Sequence, residues 1–255
     1  MKKKSKSLAL LKTGADAFGA GIGGLIGLLG GPAGAIGGGV AGVIISRILS
    51  EFANRALSDR EQARVGAAAG LTILGVQDKI NSGQILRQDG FFEPDQINRS
   101  KADELFEGIL LKCKNEFEEK KIKYISNIYK NVAFDNTVDP NNANQILNSV
   151  QQFTYRQLLI LSLVGQNVNN QFSLRTYDLR GKYEMVITET EFLLQDFILL
   201  DKQGLICRND NSTMLDTSDV APGIMKLTLI GLDYFKLLNL DTVQHNEFTF
   251  LENIK

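Results

Sequence analysis

The residues able to do chemistry in this chain are few and scattered. His245 is the only histidine, and it sits in DTVQHNEF close to the C-terminus. Cys113 and Cys207 are the only cysteines, far apart and without a CxxC companion. A zinc site of the usual kind needs four nitrogen or sulfur ligands, so this inventory excludes one. Unpaired spacing also argues against a disulfide framework and for a reducing compartment. The serines lack a GxSxG elbow. RNDNSTMLD at 208–216 is oxygen-rich but lacks the central glycine and terminal glutamate of an EF-hand loop. GAGIGGLIG matches GxGxxG loosely at Gly19, Gly21 and Gly24, but a lysine-rich leader precedes it where a dinucleotide site needs a strand. GGPAGAIGGG has no following Lys-Ser/Thr, so it is not a phosphate loop of the Walker type. Glu116 with Lys120 and Glu119 with Lys123 have the spacing of favourable helical ion pairs on a solvated face. No catalytic residue, metal or cofactor is therefore expected, and the chain is expected not to be an enzyme.

The elements that would position any site begin with an unusual leader. Lys2, Lys3, Lys4, Lys6 and Lys12 precede an uncharged stretch from Ala17 to Ser46. Such a stretch is too long for the hydrophobic region of a cleavable signal peptide. Its glycines fall at four-residue spacing in two series: Gly19, Gly23, Gly27 and Gly31, then Gly30, Gly34, Gly38 and Gly42. On a helix each series makes a bare face where two backbones can approach closely. In water each interior glycine costs about 1 kcal/mol of helix propensity relative to alanine. Lipid reverses that balance, because backbone groups there must bond internally. Pro32 after Gly30 and Gly31 predicts a break, which leaves a single kinked span and a hairpin both open; the basic residues on both sides, Arg47 among them, favour the hairpin slightly, with both ends on the cytosolic face. Burial of the same hairpin within a helical bundle is the competing expectation.

Beyond the leader, Thr/Ser-x-x-acid or amide patterns at Ser58/Glu61, Ser100/Asp103 and Thr154/Gln157 predict helix starts. One long helix is expected from Ser100 to about Phe134, and Phe91 and Phe92 are expected to anchor the loop before it. Asp139-Pro140 opens another helix. From about 154 to 242 the order helix, helix, strand, polar loop, strand, helix resembles the winged-helix arrangement, with LTLIGLDYFKLL passing directly from strand to helix. Reading DNA would need basic side chains on the preceding helix. Glu184, Glu189, Glu191 and Asp196 oppose that, with Arg175, Arg180 and Lys182 just upstream. The net charge of -1 and pI near 6.0 also argue against a dedicated nucleic-acid binder.

The fold class expected is thus mainly α: a glycine-zipper helical hairpin, a helical body, and a small winged-helix-like α+β C-terminal unit. The expected segments are 1–57, 58–150 and 151–255. The glycine zipper resembles that of bacterial membrane-disrupting effectors of the abortive-infection type. That resemblance implies an oligomerising protein that inserts in and permeabilises the cell membrane once a protein partner or signal releases it. Its partners would be a lipid bilayer, further copies of itself and the controlling protein, with nucleic acid not expected. It would reside at the cell membrane with a cytoplasmic body, or in the cytoplasm before activation. Gly19, Gly23, Gly27, Gly31, Gly34, Gly38 and Gly42 would carry insertion and oligomerisation, with Lys2, Lys3, Lys4, Lys6, Lys12 and Arg47 at the membrane surface. The alternative is a soluble regulatory or scaffold protein that binds protein or nucleic acid through its C-terminal region.

Overall fold

A computed structural model describes residues 39–96, 98–179, 188–209 and 220–255. The chain divides into two units between Gln152 and Phe153. The described part of the first unit holds α1 (Val40–Ala53), α2 (Asp59–Asn81), α3 (Lys101–Lys114), α4 (Ile122–Val132) and α5 (Pro140–Gln152). Serine caps open α2 and α3. The side chains of Ser58 and Ser100 accept from the amides of Glu61 and Asp103, whose carboxylates accept from the serine amides in return. Four orphan amides begin every helix, and each box satisfies two of them.

The core of this unit forms where α2 and α3 meet α1 and α4, with α5 against α3 and α4. Val65, Ile73, Leu105, Phe106, Ile109, Ile125, Ile128 and Tyr129 are buried there. Phe91 is buried too, edge-to-face with Phe92 at 4.9 Å between centroids, so the loop before α3 is pinned by an aromatic anchor. The Arg87 guanidinium, buried in the same loop, lies over the Phe91 ring and donates to the carbonyls of Val132 and Val138 at 3.2 and 3.0 Å. The Val132 carbonyl is one that the end of α4 leaves open.

The long helix expected from Ser100 is broken. α3 stops at Lys114, and a single 3-10 turn, Glu119–Lys121, leads into α4. The break re-pairs the charges. Glu116 is not on a solvated face but buried, with its carboxylate 2.7 Å from Lys121 Nζ, and Glu119 meets Arg60 and Arg64 instead of Lys123. Lys121 Nζ also donates to the carbonyl of Gln151 at 3.2 Å, and Glu116 accepts from the Glu118 amide at 2.9 Å. A charge pair this deep persists only because these extra bonds offset its desolvation.

The expectation of a membrane-spanning hairpin is corrected here. No helix among the described residues is long and apolar enough to cross a membrane. The described end of the apolar stretch is α1, with 14 residues and a length of about 21 Å. Its Ala41, Ile44, Ile45, Ile48, Leu49 and Phe52 are buried against α2 and α3, and its other face carries Arg47, Ser50, Glu51 and Asn54. Most of its apolar stripe is thus occupied by protein neighbours, with Val40 and Val43 of the first turns left exposed. Membrane insertion and permeabilisation, a lipid bilayer as partner, residence at the cell membrane and the likeness to membrane-disrupting effectors all lose their support. Gly19, Gly23, Gly27, Gly31, Gly34 and Gly38, with Lys2, Lys3, Lys4, Lys6 and Lys12, lie outside the described residues.

The second unit is built around α6 (Tyr155–Gln166), in which every residue from Gln157 to Val164 is buried. A helix apolar on all sides must be surrounded. Around it stand α7 (Thr188–Lys202), a two-stranded antiparallel sheet of β1 (Ile206–Arg208) and β2 (Met225–Leu227), α8 (Leu229–Leu237) and the turn at Leu240–Thr242. Cys207 pairs with Lys226 in the register. The two strands are the only sheet among the described residues. The architecture is therefore mainly helical, with eight α-helices among the described residues and one small β element near the C-terminus.

Two substitutions test this packing. Leu49→Ala is expected to lower unfolding free energy by about 2–5 kcal/mol in urea titration, as for a fully buried leucine. A loss near zero would mean that α1 is not part of the core. Glu116→Gln, which strands a buried ammonium, is expected to cost about 3–5 kcal/mol, and adding Lys121→Met should recover most of it. A double variant no more stable than the single one would count against that account.

Candidate interaction surface

α7 is the element of the second unit with an unassigned face. Leu193, Leu194, Phe197, Ile198 and Leu200 are buried, fixing how the helix lies on α6. Asp196 holds it there: its carboxylate accepts from Arg156 and, at 2.8 Å, from Gln157 Nε2. Asp196 is buried, so it belongs to this lock and not to the exposed acidic surface that the sequence suggested. The remaining face presents Glu191, Phe192, Gln195, Leu199, Lys202 and Gln203. Phe192 is 57 % exposed and Leu199 47 %, and seven-residue spacing puts them on one side, two turns apart.

A second exposed apolar pair begins α8. Leu229 is 85 % exposed and Ile230 57 %. Their position follows from the backbone contact behind them. A Cβ at Gly231 would lie 1.8 Å from the Leu205 carbonyl oxygen, so only glycine lets the α8 start sit this close to the exit of α7. Thr228 fixes the same junction, donating to the Gly204 carbonyl at 2.5 Å while accepting from the Gly231 amide at 2.9 Å. Gly204 itself has φ +69, the left-handed stop that ends α7. Within LTLIGLDYFKLL the passage from strand to helix falls at Thr228, whose cap is the local signal for it.

Cations on this unit are mostly spoken for. Arg175 donates to the carbonyls of Leu179 and Lys255, at 3.2 and 3.3 Å, and lies over the Tyr177 ring. Arg180, Lys182 and Glu184 are outside the described residues. Among the described residues, the exposed face of α7 offers one cation, Lys202, and one carboxylate, Glu191. Phosphate recognition draws its affinity from several lysines or arginines, which that face does not provide.

The first unit carries a different feature, a row of arginine–carboxylate pairs. Arg47 meets Asp103, Arg55 and Arg99 each meet Glu107 at 2.6 Å, and Arg60 and Arg64 meet Glu119. A cleft of about 110 Å³ beside the row is lined by Arg47, Ile48, Glu51, Asn98, Arg99 and Asp103. Two cations and two carboxylates line it, so it has no net attraction for either sign. Burial alone would raise the Asp103 carboxyl, but bonds from Arg47 and Ser100 outweigh it and hold the group below its ordinary value. Arg47 is thus a partner of a buried carboxylate. Gly42 lies in the first turn of α1 and is half-buried.

The isolated reactive groups stay isolated. Cys113 is fully buried, and burial with the nearby Glu116 carboxylate pushes its thiol far up, which suppresses the nucleophilic thiolate. His245 stacks on Phe172 at 5.6 Å in a 3-10 turn, His245–Glu247. Among the described residues no group of three or more potential metal ligands comes together. No known protein family, curated protein or solved structure matches the chain.

The Asp103 pair sets an expected pH dependence. A carboxyl depressed in the folded state adds stability above its unfolded value, and that stability is lost as pH falls through the folded value. With Arg47→Met the burial effect on Asp103 is less opposed, so its folded value rises. The acid-unfolding midpoint, followed by circular dichroism, should then move to higher pH. An unmoved midpoint would show that Arg47 does not hold Asp103 ionised.

Proposed function

We propose that this chain is a non-catalytic interaction protein whose C-terminal unit binds another protein through the outward face of α7 and the start of α8. The observation that carries this is the exposure of Phe192 and Leu199 on one side of a helix otherwise locked by Asp196. Clustered apolar side chains left in water on a well-packed scaffold, unlike singly scattered ones, mark interaction sites. Interface cores are also depleted of charge, as this face is, with Glu191 and Lys202 at its margins. An apolar helix face of this kind suits a groove or a second helix on the partner. The scarcity of free cations among the described residues of this face favours a protein over a nucleic acid as the bound molecule.

A photoreactive residue at Gln195, between Phe192 and Leu199, tests the proposal in cells. Expected is a discrete protein adduct that disappears when Phe192→Ser and Leu199→Ser are combined, with the thermal unfolding of the purified double variant little changed. Surface substitutions away from structural contacts typically shift stability by about 0.5 kcal/mol or less. Adducts with nucleic acid, or protein adducts indifferent to the double substitution, would overturn it.

A further inference from the structure

The cleft beside the arginine row of the first unit holds charges of both signs that have not neutralised one another. Of its two carboxylates, Asp103 is buried and already bonded by Ser100 and Arg47. The Glu51 carboxylate is exposed and, among the described residues, has neither a hydrogen-bond nor an ion-pair partner. Of the two guanidiniums, Arg47 is committed to Asp103, whereas Arg99 is only half-committed. It reaches Glu107 through Nη2 alone, and Arg55 shares that carboxylate. Two arginines on one carboxylate leave a positive charge in excess. Arg99 Nε is buried without an acceptor, while the side chain as a whole is 38 % exposed. A guanidinium is a rigid fork of five N–H donors shaped for a carboxylate, and most of this one is unused.

The two leftover groups come from different elements. Glu51 belongs to the last turn of α1, Arg99 to the residue before the Ser100 cap of α3, and both line the same space of about 110 Å³. Asp103 holds Arg47 and Glu107 holds Arg99, so neither guanidinium is free to swing onto Glu51, and Glu51 forms no ion pair with either. A lone anion drawn to Arg99 would also meet the Glu51 carboxylate, and a lone cation the reverse. A molecule carrying both charges gains from both walls. The space is smaller than the roughly 150 Å³ cavity that takes benzene, which suits about six heavy atoms. We propose that this cleft binds a small free α-amino acid, with its carboxylate on Arg99 and its ammonium on Glu51. Such a molecule holds both charges on one carbon. A residue at either end of a peptide keeps only one of them, because an amide replaces the other. Ile48, the apolar lining residue, is only 2 % exposed, so the cleft offers a large side chain little to pack on and favours alanine or similar.

Titration of the full chain with L-alanine, followed through its backbone amide NMR signals, tests this. Saturable shifts are expected at amides of 47–51 and 98–103, with a Kd of about 1 mM or tighter. Propionate and ethylamine, which each keep one of the two charges, should give none at the same concentrations. Glu51→Gln and Arg99→Gln should each raise the Kd for alanine at least about tenfold. Glu51 has no partner to lose, so Glu51→Gln should leave thermal unfolding unchanged. That variant keeps the result readable even if Arg99→Gln, which deprives Glu107 of a partner, loosens the fold. No saturable shift up to about 50 mM alanine would overturn the proposal. So would propionate or ethylamine binding as tightly as alanine, or an alanine Kd indifferent to Glu51→Gln. Binding of alanine amide or N-acetylalanine as tight as that of alanine would make the occupant a peptide terminus and overturn it as well.

Discussion

Asp103 serves two helices at once, and the first unit depends on that double duty. One carboxylate oxygen closes the box with Ser100 that starts α3, and the other takes the Arg47 guanidinium of α1. Because the side chain is 1 % exposed, neither bond could be lost to water without leaving a buried charge short of partners. The start of α3 and the position of α1 are therefore set together. Once α1 is placed, its apolar stripe is consumed by α2 and α3, and the Arg55–Glu107–Arg99 pairs follow along the same side.

The second unit is governed by a different constraint, the complete burial of α6. A helix surrounded on all sides dictates where its neighbours lie, and two of them are tied back to it by polar bonds. Arg156 and Gln157 hold α7 through Asp196, while Ser162 and Gln166 both donate to the Leu240 carbonyl, at 2.6 and 3.0 Å. Such side-chain bonds fix orientation more than they add stability, since each is worth about 1 kcal/mol net. With α7 and α8 oriented this way, Phe192, Leu199, Leu229 and Ile230 are what remains outside. The exposed apolar side chains are thus a consequence of geometry, and their retention in water is what draws attention to them as a binding face.

Local signals in the chain carried much of the secondary structure. The boxes at Ser58, Ser100 and Thr154 are written in residues three apart, and Asp139-Pro140 and Gly204 mark a start and a stop by their own backbone preferences. Nothing equally local marks the end of α3 at Lys114. Its charged continuation has good helical spacing, and only the burial of Glu116 and Lys121 against the end of α5 explains the turn. The same limit applies to the candidate surface, because Leu193 and Leu199 are alike in type, and packing against α6 alone makes one core and the other surface.

The largest departure concerns the apolar stretch that ends in α1. Glycine spacing and the absence of charge determine that such a segment seeks an apolar partner, and they determine nothing about which one. Hydrocarbon and a protein core reward the same side chains, so Ile44, Ile45, Ile48 and Leu49 read identically for either. What decided between them for the described residues is the facing surface of α2 and α3, brought from later in the chain, and the buried Asp103 waiting for Arg47. The sequence by itself determined helix starts, the mainly helical class and the scarcity of reactive groups, since these depend on neighbours in the chain. Tertiary structure alone decided which apolar faces are covered and which charges are paired, because those depend on partners that only folding brings together.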